Sequence, residues 1–487
     1  MKTTTLTATT ALLATTALAT TLTAASPRPN VIFFLIDDMG YGDLHYKGNY
    51  GVNTPNIDRL ATEGLRVDHF YVSYPICSPS RTSYTTGQYA QRWGITSYLD
   101  NMKLNAERGM PNFLSLKAPT LARCLQNAGY ATGHFGKWHM GGQRDFGDAP
   151  LITAYGFDES LTSFEGLGDR ILPVFSPGLS AKNPKWINGH YDLGIMSEKL
   201  GHGHIEWVDR WLMTGRFIDR AITFIDKAKN TGKPFYVNIW PDDVHTPVEP
   251  SAPFRGDNSQ HTRFQGVVRE LDREFGRLMD YIRNDPALRD NTIVILASDN
   301  GPEKGAGSPG NLRGYKTELY EGGVREPFII WAPKLLAPAS IGTINNTSDI
   351  SGLDFAPTLL SILRVPAPDG VKFDGVDMSD VFLGRSTAPY RPTPLFFSRP
   401  PDRPGAKNEL PDFAVRDGKW KYYLHRDGRE ELYDVTDDPG EMLDKSKDNP
   451  AVIKTLRAKL TAWQKDVHQE KIFKAGDATV RKHSVHD

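Results

Sequence analysis

The sequence predicts an α/β protein: a large, mixed but mostly parallel sheet sandwiched by helices, followed by a smaller C-terminal antiparallel sheet and a helix. Runs that are apolar without alternation are typical of strands buried on both faces of a parallel sheet, and they occur at residues 31–36, 234–240 and 292–297. Between them lie helical patterns, at residues 120–127, 215–229 and 265–284. Strands that alternate with helices indicate a layered fold whose ligands bind beyond the carboxyl ends of the strands.

The pattern of predicted elements changes near residue 386. Short strand-like pieces separated by Asp-Gly pairs occur there, at residues 412–416, 420–425 and 431–435. A helical pattern follows at residues 450–467. We therefore expect a C-terminal subdomain over residues 386–487, built from a small antiparallel sheet and a terminal helix.

The first 25 residues predict a secretory signal peptide. Lys2 supplies a short positive region, residues 11–22 are modestly apolar and rich in Ala and Thr, and Thr23-Ala24-Ala25 offers small residues for cleavage before Ser26. The alternative is a disordered Thr/Ala-rich tail. With residues 1–25 as signal peptide, the main domain spans residues 26–385, and the mature protein is expected to be secreted or periplasmic.

Charge and composition exclude several classes of protein. The 487 residues include 57 Lys+Arg and 58 Asp+Glu, a net charge of −1, which excludes the broad basic footprint of a nucleic-acid-binding protein. After the leader, no run reaches the roughly 18 apolar residues that a membrane span needs. Two cysteines make at most one bridge, so the chain is not a disulfide scaffold.

Acidic residues follow the predicted core strands. Asp37 and Asp38 end the first strand, and Asp299 and Asn300 follow the run at 292–297. Hard oxygen ligands at the carboxyl edge of a sheet suit calcium or magnesium, and an all-protein oxygen cage favours Ca²⁺ over Mg²⁺. Neither cysteine has a zinc-type spacing. The alternative is that these acids only cap helices that follow the strands.

The segment Cys77-Ser78-Pro79-Ser80-Arg81 predicts the start of a short helix that ends near Gly87. Ser78 is expected as its N-cap and Pro79 as its first residue. Cys77 and Arg81 then lie at a helix N-terminus, where the dipole and the free amides favour an anion. The other cysteine, Cys124, is expected to be a small buried apolar residue.

This segment resembles the C-x-P-S-R signature of the sulfatase family, in which the cysteine is oxidised to formylglycine by a formylglycine-generating enzyme. Residues 129–139 resemble the second signature of the family, G-Y-x-T-x-x-x-G-K-x-H, and contribute Lys137 and His139. Further matches lie in the family's order, at residues 37–43, 245–247, 298–301, 312–316 and 321–327. The resemblance covers residues 30 to about 435 and implies an alkaline-phosphatase-like fold.

The resemblance also implies a role for each matching residue. Asp37, Asp38, residue 77, Asp299 and Asn300 are implied to bind one Ca²⁺ ion. Arg81, Lys137 and Lys316 are implied to stabilise charge on the sulfuryl oxygens. His245, together with Lys316, is implied to protonate the departing alkoxide, and His139 to accept the proton that is released when sulfate leaves.

Charge arithmetic on these residues favours an anionic substrate. Three aspartates give −3, the metal +2, and Arg81, Lys137 and Lys316 give +3, which sums to +2. A sulfate-ester monoanion is attracted to such a site. Without the metal the sum is zero, so the ion is expected to be needed for binding as well as for activating the nucleophile.

The remaining histidines divide into two groups. His45, His69 and His134 are expected to be structural. A loop insert between core elements mixes histidines with aromatic and cationic residues, which suits a sugar ring carrying anions. Its members are Lys185, Trp186, His190, His202, His204 and Trp207.

The first functional hypothesis is a secreted sulfuric-ester hydrolase that acts on a sulfated carbohydrate. One alternative is a phosphodiester or phosphonate-ester hydrolase of the same superfamily, which shares the metal-binding acids and can share the modified cysteine. Another is a non-catalytic binder of sulfated glycans that keeps the fold without the modification. The complete set of matching residues argues against the last, because a binder has no need of a whole catalytic constellation.

Overall fold

The computed structural model describes residues 28–49, 51–142, 144–176, 186–187, 190–388, 390–400, 402 and 409–468. The predicted signal peptide, residues 1–25, lies outside the described residues, as does Lys185.

The described residues form eighteen strands. In chain order they are β1 Asn30–Ile36, β2 Leu65–Val67, β3 Phe70–Tyr71, β4 Ala131–Gly136, β5 Glu159–Thr162, β6 Arg170–Val174, β7 Trp186–Ile187, β8 His190–Tyr191, β9 Ile205–Asp209, β10 Phe235–Trp240, β11 Thr292–Ser298, β12 Phe328–Trp331, β13 Ile344–Asn345, β14 Ile350–Ser351, β15 Leu395–Ser398, β16 Phe413–Asp417, β17 Trp420–Leu424 and β18 Glu430–Asp434.

Twelve α-helices lie within the same described ranges. They are α1 Pro55–Glu63, α2 Cys77–Thr86, α3 Met102–Glu107, α4 Leu121–Asn127, α5 Asp192–Lys199, α6 Met213–Asn230, α7 Gln260–Asn284, α8 Pro286–Arg289, α9 Glu321–Val324, α10 Phe355–Ile362, α11 Ser379–Phe382 and α12 Pro450–Asp466. In this part of the chain no helix is long and apolar enough to cross a membrane.

The central sheet is mixed and mostly parallel, as predicted. Its order is β13-β2-β12-β11-β1-β10-β4-β5-β6-β8-β7, with β9 paired to β6, which makes twelve strands among the described residues. The strands β11, β1, β10 and β4 run parallel side by side, so their carboxyl ends meet at one edge. The strand β12 then pairs antiparallel with β11.

The first strand shows why the sheet is buried on both faces. All seven residues of β1 are buried. Val31, Phe33 and Leu35 join the apolar cluster on one face, where α2, α4 and α10 pack. Ile32 and Phe34 join the cluster on the other face, where α1, α6 and α7 pack. Because side chains alternate along a strand, an unbroken apolar run is what a sheet covered by helices on both faces requires.

The C-terminal antiparallel sheet, β15 to β18, shares its core with the central sheet. Val415, Tyr422 and Leu432 belong to the same buried cluster as Phe33 and Leu35 of β1. This shared burial stabilises the contact between the two sheets, because each fully buried side chain of this kind contributes roughly 1.5–3 kcal/mol.

Buried ionic groups also join the two sheets. Lys421 Nζ lies 2.7 Å from Glu321 Oε1, and both side chains are fully buried. Glu441 accepts the backbone N–H of Glu321 at 2.8 Å and the hydroxyl of Tyr423. Burial raises the pKa of Glu441 to about 7, although Lys421 partly offsets this effect. The Glu441 carboxyl beside the Lys421–Glu321 pair therefore holds its proton more readily than an ordinary glutamate does.

Candidate active site

The metal-binding acids predicted from the sequence meet at the carboxyl edge of the central sheet. Ile36 and Ser298 are register partners at the ends of β1 and β11, so the residues that follow them lie side by side. The backbone N–H of Asp38 donates to Asp299 Oδ1 at 3.1 Å. Asp38 itself has φ 54°, a left-handed conformation that turns the chain sharply after the strand.

The cysteine segment does form a short helix, but the predicted capping is wrong. The helix α2 begins at Cys77, its N-cap is Ile76, and it ends before Gly87 in the left-handed conformation. Ser78 is inside the first turn, and its hydroxyl accepts the backbone N–H of Leu99 at 3.0 Å. The side chain is used to anchor a neighbouring loop, so it is not available to cap the helix.

Cys77 is enclosed by charged groups and is 1% exposed. Its Sγ lies 3.6 Å from Asp37 Oδ1 and 3.5 Å from Lys137 Nζ. Burial raises the pKa of the Cys77 thiol to about 12, although Lys137 and Lys316 partly offset it. The unmodified side chain is therefore a neutral thiol at physiological pH and a poor nucleophile.

Arg81 bridges two of the acids. Its Nη2 lies 3.0 Å from Asp37 Oδ1 and 2.8 Å from Asp299 Oδ2, and its Nη1 donates to the backbone carbonyl of Lys137 at 3.1 Å. The guanidinium is fully buried. Burial alone would raise the pKa of Asp37, but the charges of Lys137 and Arg81 hold it well below its usual range. Asp37 is thus ionised.

Lys137 follows β4 and is placed by the parallel pairing of β4 with β10. Its backbone N–H donates to the carbonyl of Trp240 at 2.8 Å, and its Nζ lies 2.6 Å from Asp37 Oδ2. The preceding Gly136 has φ 120°, and a Cβ there would lie 2.2 Å from the same Trp240 carbonyl. Only glycine permits this approach, which directs Lys137 into the site.

Lys316 and His245 meet at the second acid. Lys316 Nζ lies 2.6 Å from Asp38 Oδ2, and His245 Nε2 lies 3.8 Å from the same oxygen. Burial acts to lower the pKa of Lys316, but the negative charge of Asp38 prevails and raises it. Burial together with the charges of Lys316 and Lys137 lowers the pKa of His245 to about 3. Lys316 therefore carries a proton in this arrangement and His245 does not.

His139 lies on the wall of the same cavity without touching the acids. Its Nε2 lies 3.3 Å from the carbonyl of Leu99, and its ring stands edge-on to Phe164 at 4.8 Å. Its Nδ1 is buried without a hydrogen-bond partner among the described residues. Burial and the charges of Lys137 and Arg144 lower the pKa of His139 well below its usual value. The ring is neutral and has a nitrogen able to accept a proton.

The acid cluster fits a divalent cation. Carboxylate oxygens of Asp37, Asp38 and Asp299 all lie within 4.8 Å of one another. Asn300 Nδ2 donates to Asp38 Oδ1 at 2.7 Å, while its Oδ1 is buried without a hydrogen-bond partner in the described part of the chain. Burial, with the charges of Asp37 and Asp38, raises the pKa of Asp299 to about 7 despite Arg81. Hard oxygen donors that repel one another are the donor set that Ca²⁺ or Mg²⁺ binds.

The site opens into a cavity of about 210 Å³. Cys77, His139, His245 and Lys316 line it, and we refer to this group of residues as its inner end. Four further polar residues line it that the motifs did not single out, and we refer to them as its outer end: Arg144, Ser163, Arg210 and Asp242. Of these, only Asp242 had a signal in the sequence, since it follows the predicted strand 234–240.

The histidines and Trp207 of the insert do not line this cavity, so a role of these side chains in binding a sugar stays a prediction. His190 stacks on Trp207 with ring centroids 4.1 Å apart, and His202 and His204 are exposed. None of the four lines the cavity, although Gly194 from the same insert does. The rings of His190 and Trp207 stack on each other, and neither ring lines the cavity.

The histidines expected to be structural have ordinary partners. His45 Nδ1 lies 2.6 Å from Asp58, and His69 Nδ1 lies 3.2 Å from Asp349. His134 is fully buried against the rings of Trp138 and Trp240. Cys124 is buried on α4, within the apolar cluster.

Comparison with known proteins agrees with this geometry. The family model "Sulfatase" matches residues 29–365, and the model "N-sulphoglucosamine sulphohydrolase, C-terminal" matches residues 314–466. The chain belongs to the sulfatase family, whose members are sulfuric-ester hydrolases, and its two-sheet architecture is alkaline-phosphatase-like.

Individual relatives cover most of the chain. It is 34% identical to bovine (Bos taurus) arylsulfatase A over 86% of its own length and 78% of the relative's. It is 29% identical to the N-acetylgalactosamine-6-O-sulfatase of Bacteroides thetaiotaomicron, over 88% and 92%. Among solved structures, Ps i-CgsB in complex with k-i-k-neocarrahexaose superposes with a TM-score of 0.74 at 25% identity, over 90% of this chain and 92% of that one.

Proposed function

We propose that the protein is a secreted or periplasmic sulfatase that removes sulfate from a sulfated carbohydrate, using a formylglycine made from Cys77 and one bound Ca²⁺ ion. The observation that carries the proposal is the position of Cys77 Sγ, between Asp37 Oδ1 at 3.6 Å and Lys137 Nζ at 3.5 Å. A nucleophile placed there borders both the acid cluster and the cations that would hold a sulfate.

The properties of Cys77 support its conversion. A buried thiol with a pKa of about 12 is not a nucleophile at neutral pH. Formylglycine would supply a hydrated aldehyde, which has one hydroxyl for attack on sulfur and a second from which a proton can be removed to expel sulfate. A formylglycine-generating enzyme is the partner that this conversion requires.

The ion would be held by Asp37, Asp38, Asp299 and the orphaned Oδ1 of Asn300. It would supply the positive charge that lowers the pKa of a bound hydroxyl and neutralises part of the acid cluster. Ca²⁺ is proposed over Mg²⁺ because all of these donors come from the protein.

The chain's own cations would bind and orient the sulfate. Lys137 Nζ and Lys316 Nζ pair with different acids of the cluster, Asp37 and Asp38 respectively. Arg81 holds Asp37 and Asp299 in place, so its charge acts at the floor of the site. Fixed cations around the sulfuryl oxygens stabilise the charge that develops there in the transition state.

Proton transfers are assigned from the protonation states. Lys316 carries a proton beside Asp38, so it is the group that protonates the leaving oxygen, with His245 beside it on the same carboxylate. His139 is neutral with a free Nδ1, so it accepts the proton released when sulfate is expelled. His139 and His245 are therefore both neutral when the reaction cycle begins.

A carbohydrate substrate is supported by the relatives and by the cavity. One relative is named for N-acetylgalactosamine-6-sulfate, and a structural neighbour carries a carrahexaose in its name. The cavity has aromatic side chains, Tyr98 and Phe164, as well as the polar residues at its outer end. Export, predicted from residues 1–25, would bring the enzyme to polymeric glycans outside the cell.

The test is to produce the protein with and without a formylglycine-generating enzyme. Mass spectrometry of the peptide containing Cys77 should then show a species about 18 Da lighter than the thiol form. Only the protein made with the formylglycine-generating enzyme should hydrolyse an aryl sulfate. It should prefer the aryl sulfate over an aryl phosphodiester. Full turnover with an intact thiol would overturn the modification; a hundredfold preference for phosphorus would favour the diesterase; binding of sulfated glycans without turnover would favour a binder.

The matched control is Cys77→Ser, which keeps one hydroxyl at the same place. It lacks the second hydroxyl, so turnover should stall even when the formylglycine-generating enzyme is present. A Cys77→Ser protein with wild-type turnover would remove the reason for the modification.

A further inference from the structure

The outer end of the active-site cavity is built around Asp242. This residue comes two positions after β10 and lines the cavity, with 11% of its side chain exposed. Its Oδ1 accepts the hydroxyl of Ser163 at 3.1 Å and pairs with Arg210 Nη1 at 3.1 Å. Arg210 also donates to the backbone carbonyl of Asp242. The carboxylate is therefore held through Oδ1, and Arg210 also holds the backbone of the same residue.

The second oxygen of this carboxylate has no partner within the described residues. Oδ1 takes both of the contacts above, and Oδ2 is not among the buried atoms that lack a partner, so Oδ2 is the accessible oxygen of a residue that lines the cavity. Asp242 is also outside the group of acids able to share a metal ion in the described chain. A fixed, partly exposed acceptor at the rim of a cavity is suited to a hydroxyl donor on a ligand.

The charge of this outer end differs from that of the inner end. Its two cations are each paired with two acids: Arg144 with Asp100 at 2.7 Å and Glu165 at 2.8 Å, and Arg210 with Asp242 at 3.1 Å and Asp243 at 3.9 Å. With all four acids ionised, two cations and four acids sum to −2.

Protonation of these acids does not make the net charge of the outer end positive. Burial raises the pKa of Glu165 and of Asp243 to about 7, in each case despite a nearby arginine. With both acids neutral the outer end sums to zero. It therefore offers no net positive charge to a second anionic group on the substrate, whereas the three aspartates, the three cations and the proposed divalent ion of the sulfate site sum to +2.

Resting on the proposed function, we propose that Asp242 Oδ2 accepts a hydrogen bond from a ring hydroxyl of the sulfated sugar, and that the enzyme selects sugars with one sulfate on an otherwise uncharged ring. The aromatic side chains of Tyr98 and Phe164 line the same cavity and suit the apolar face of a pyranose. A neighbouring sulfate or carboxylate in place of the hydroxyl would face Asp242 at like charge, which disfavours binding.

The test compares Asp242→Asn with Asp243→Asn in the formylglycine-containing enzyme. Asparagine at position 242 keeps the Oδ1 acceptor for Ser163 and Arg210 but replaces Oδ2 by a donor. Asp243 is the adjacent carboxylate on the same turn; it also contacts Arg210 but does not line the cavity. Substrates are 4-nitrophenyl sulfate, which has no hydroxyl, and a panel of hexoses and N-acetylhexosamines sulfated once at each ring position.

For the best sugar of the panel, Asp242→Asn should lower the ratio of its kcat/KM to that of the aryl sulfate by about 10- to 100-fold, the effect of losing a hydrogen bond to a charged acceptor. Asp243→Asn should leave this ratio within twofold. A ratio that does not change in Asp242→Asn, or that falls equally in both variants, would overturn the assignment, because it would mean that Asp242 only supports Arg210.

The second comparison uses the same sugar with an additional sulfate. For the wild-type enzyme, kcat/KM for the disulfated sugar should be at least tenfold lower than for the monosulfated sugar. In Asp242→Asn, this difference in kcat/KM between the two sugars should be smaller. A wild-type preference for the disulfated sugar would overturn the charge argument. If the enzyme cleaves the aryl sulfate but no sugar of the panel, this inference fails while the sulfatase assignment stands; if it cleaves neither, the proposed function itself fails.

Discussion

Lys137 Nζ lies 2.6 Å from Asp37 Oδ2, on the side of the acid cluster that faces Cys77. A second lysine, Lys316, makes the equivalent 2.6 Å contact with Asp38, next to His245. The two lysines are thus matched in distance and charge but differ in what lies beside them. We propose that this difference separates sulfate binding, by Lys137, from protonation of the leaving group, by Lys316.

Replacing each lysine by alanine should reveal the two roles. Lys137→Ala should lower kcat/KM by about 10²–10³-fold on an aryl sulfate and on a sugar sulfate alike, because it removes a charge from the sulfuryl oxygens. Lys316→Ala should cost about tenfold more on the sugar sulfate than on 4-nitrophenyl sulfate, because a sugar alkoxide needs a proton to leave and 4-nitrophenolate does not. Equal losses on both substrates in Lys316→Ala would assign proton donation elsewhere.

Metal binding should depend on Asp38. Asp38→Asn keeps a residue type that tolerates φ 54° but removes one negative charge. After chelation, calorimetric titration with CaCl₂ should show affinity at least a hundredfold weaker than wild type, since a neutral amide is a weaker ligand. The exposed Asp369→Asn provides the control and should bind Ca²⁺ normally. Equal Ca²⁺ affinity in the two variants would place the ion elsewhere.

Arg81 should be needed for stability as well as for activity. Arg81→Lys removes the fork that lets one guanidinium contact Asp37 and Asp299, and it leaves a buried carboxylate unpaired. We expect the free energy of unfolding in urea to fall by about 3 kcal/mol. Arg59→Lys is the matched control, because Arg59 pairs with Glu63 on the exposed surface of α1 and should change stability by less than about 0.5 kcal/mol. Similar losses in both would contradict the role of the buried bridge.

Stability should fall as the pH rises through neutrality because of Glu441. In the folded chain its pKa is raised to about 7, whereas an ordinary glutamate titrates near 4.5. A raised carboxyl pKa gives a contribution that is complete below pH 4.5 and is lost as the pH rises through 7, here roughly 2–3 kcal/mol.

Urea unfolding at pH 5, 6, 7 and 8 measures this effect. Glu441→Gln should make the fall in stability smaller by the contribution of Glu441, since an amide does not titrate, while other buried carboxyls with a pKa raised to about 7, such as Asp243, keep the remainder. Glu107→Gln, at an exposed position on α3, should leave the wild-type slope in place. A Glu441→Gln protein with the full wild-type slope would show that another group controls the pH dependence.

The core of the fold was predictable because its strands are buried on both faces. An unbroken apolar run has no competing helical period, so β1, β10 and β11 begin and end within about one residue of the predicted bounds. The outer strands are short and mixed in polarity: β9 alternates only weakly between buried and half-buried residues. They form because neighbouring strands offer them hydrogen bonds, which the local sequence does not reveal.

The candidate site likewise has one part that the sequence predicts and one part that it does not. Residues proposed to bind the metal ion and the sulfate lie in motifs at strand ends, so the sequence and its family resemblance already predicted that Asp37, Lys137 and Asp299 belong to one site. The outer wall of the cavity was not predictable, because Arg144 and Ser163 come from loops that approach only in the folded chain. Ser78 illustrates a further limit: its residue type suits a helix cap, but a tertiary contact with Leu99 takes its hydroxyl.

Every residue of α2, from Cys77 to Thr86, is buried. If residue 77 is oxidised as proposed, the oxidising enzyme would have access to it only before the chain has folded. Oxidation would then come first during synthesis, and folding of the sheet over the helix would make whichever side chain is present permanent. Protein made in a host that lacks the oxidising enzyme should fold normally and resist activation by later treatment, unless it is first unfolded.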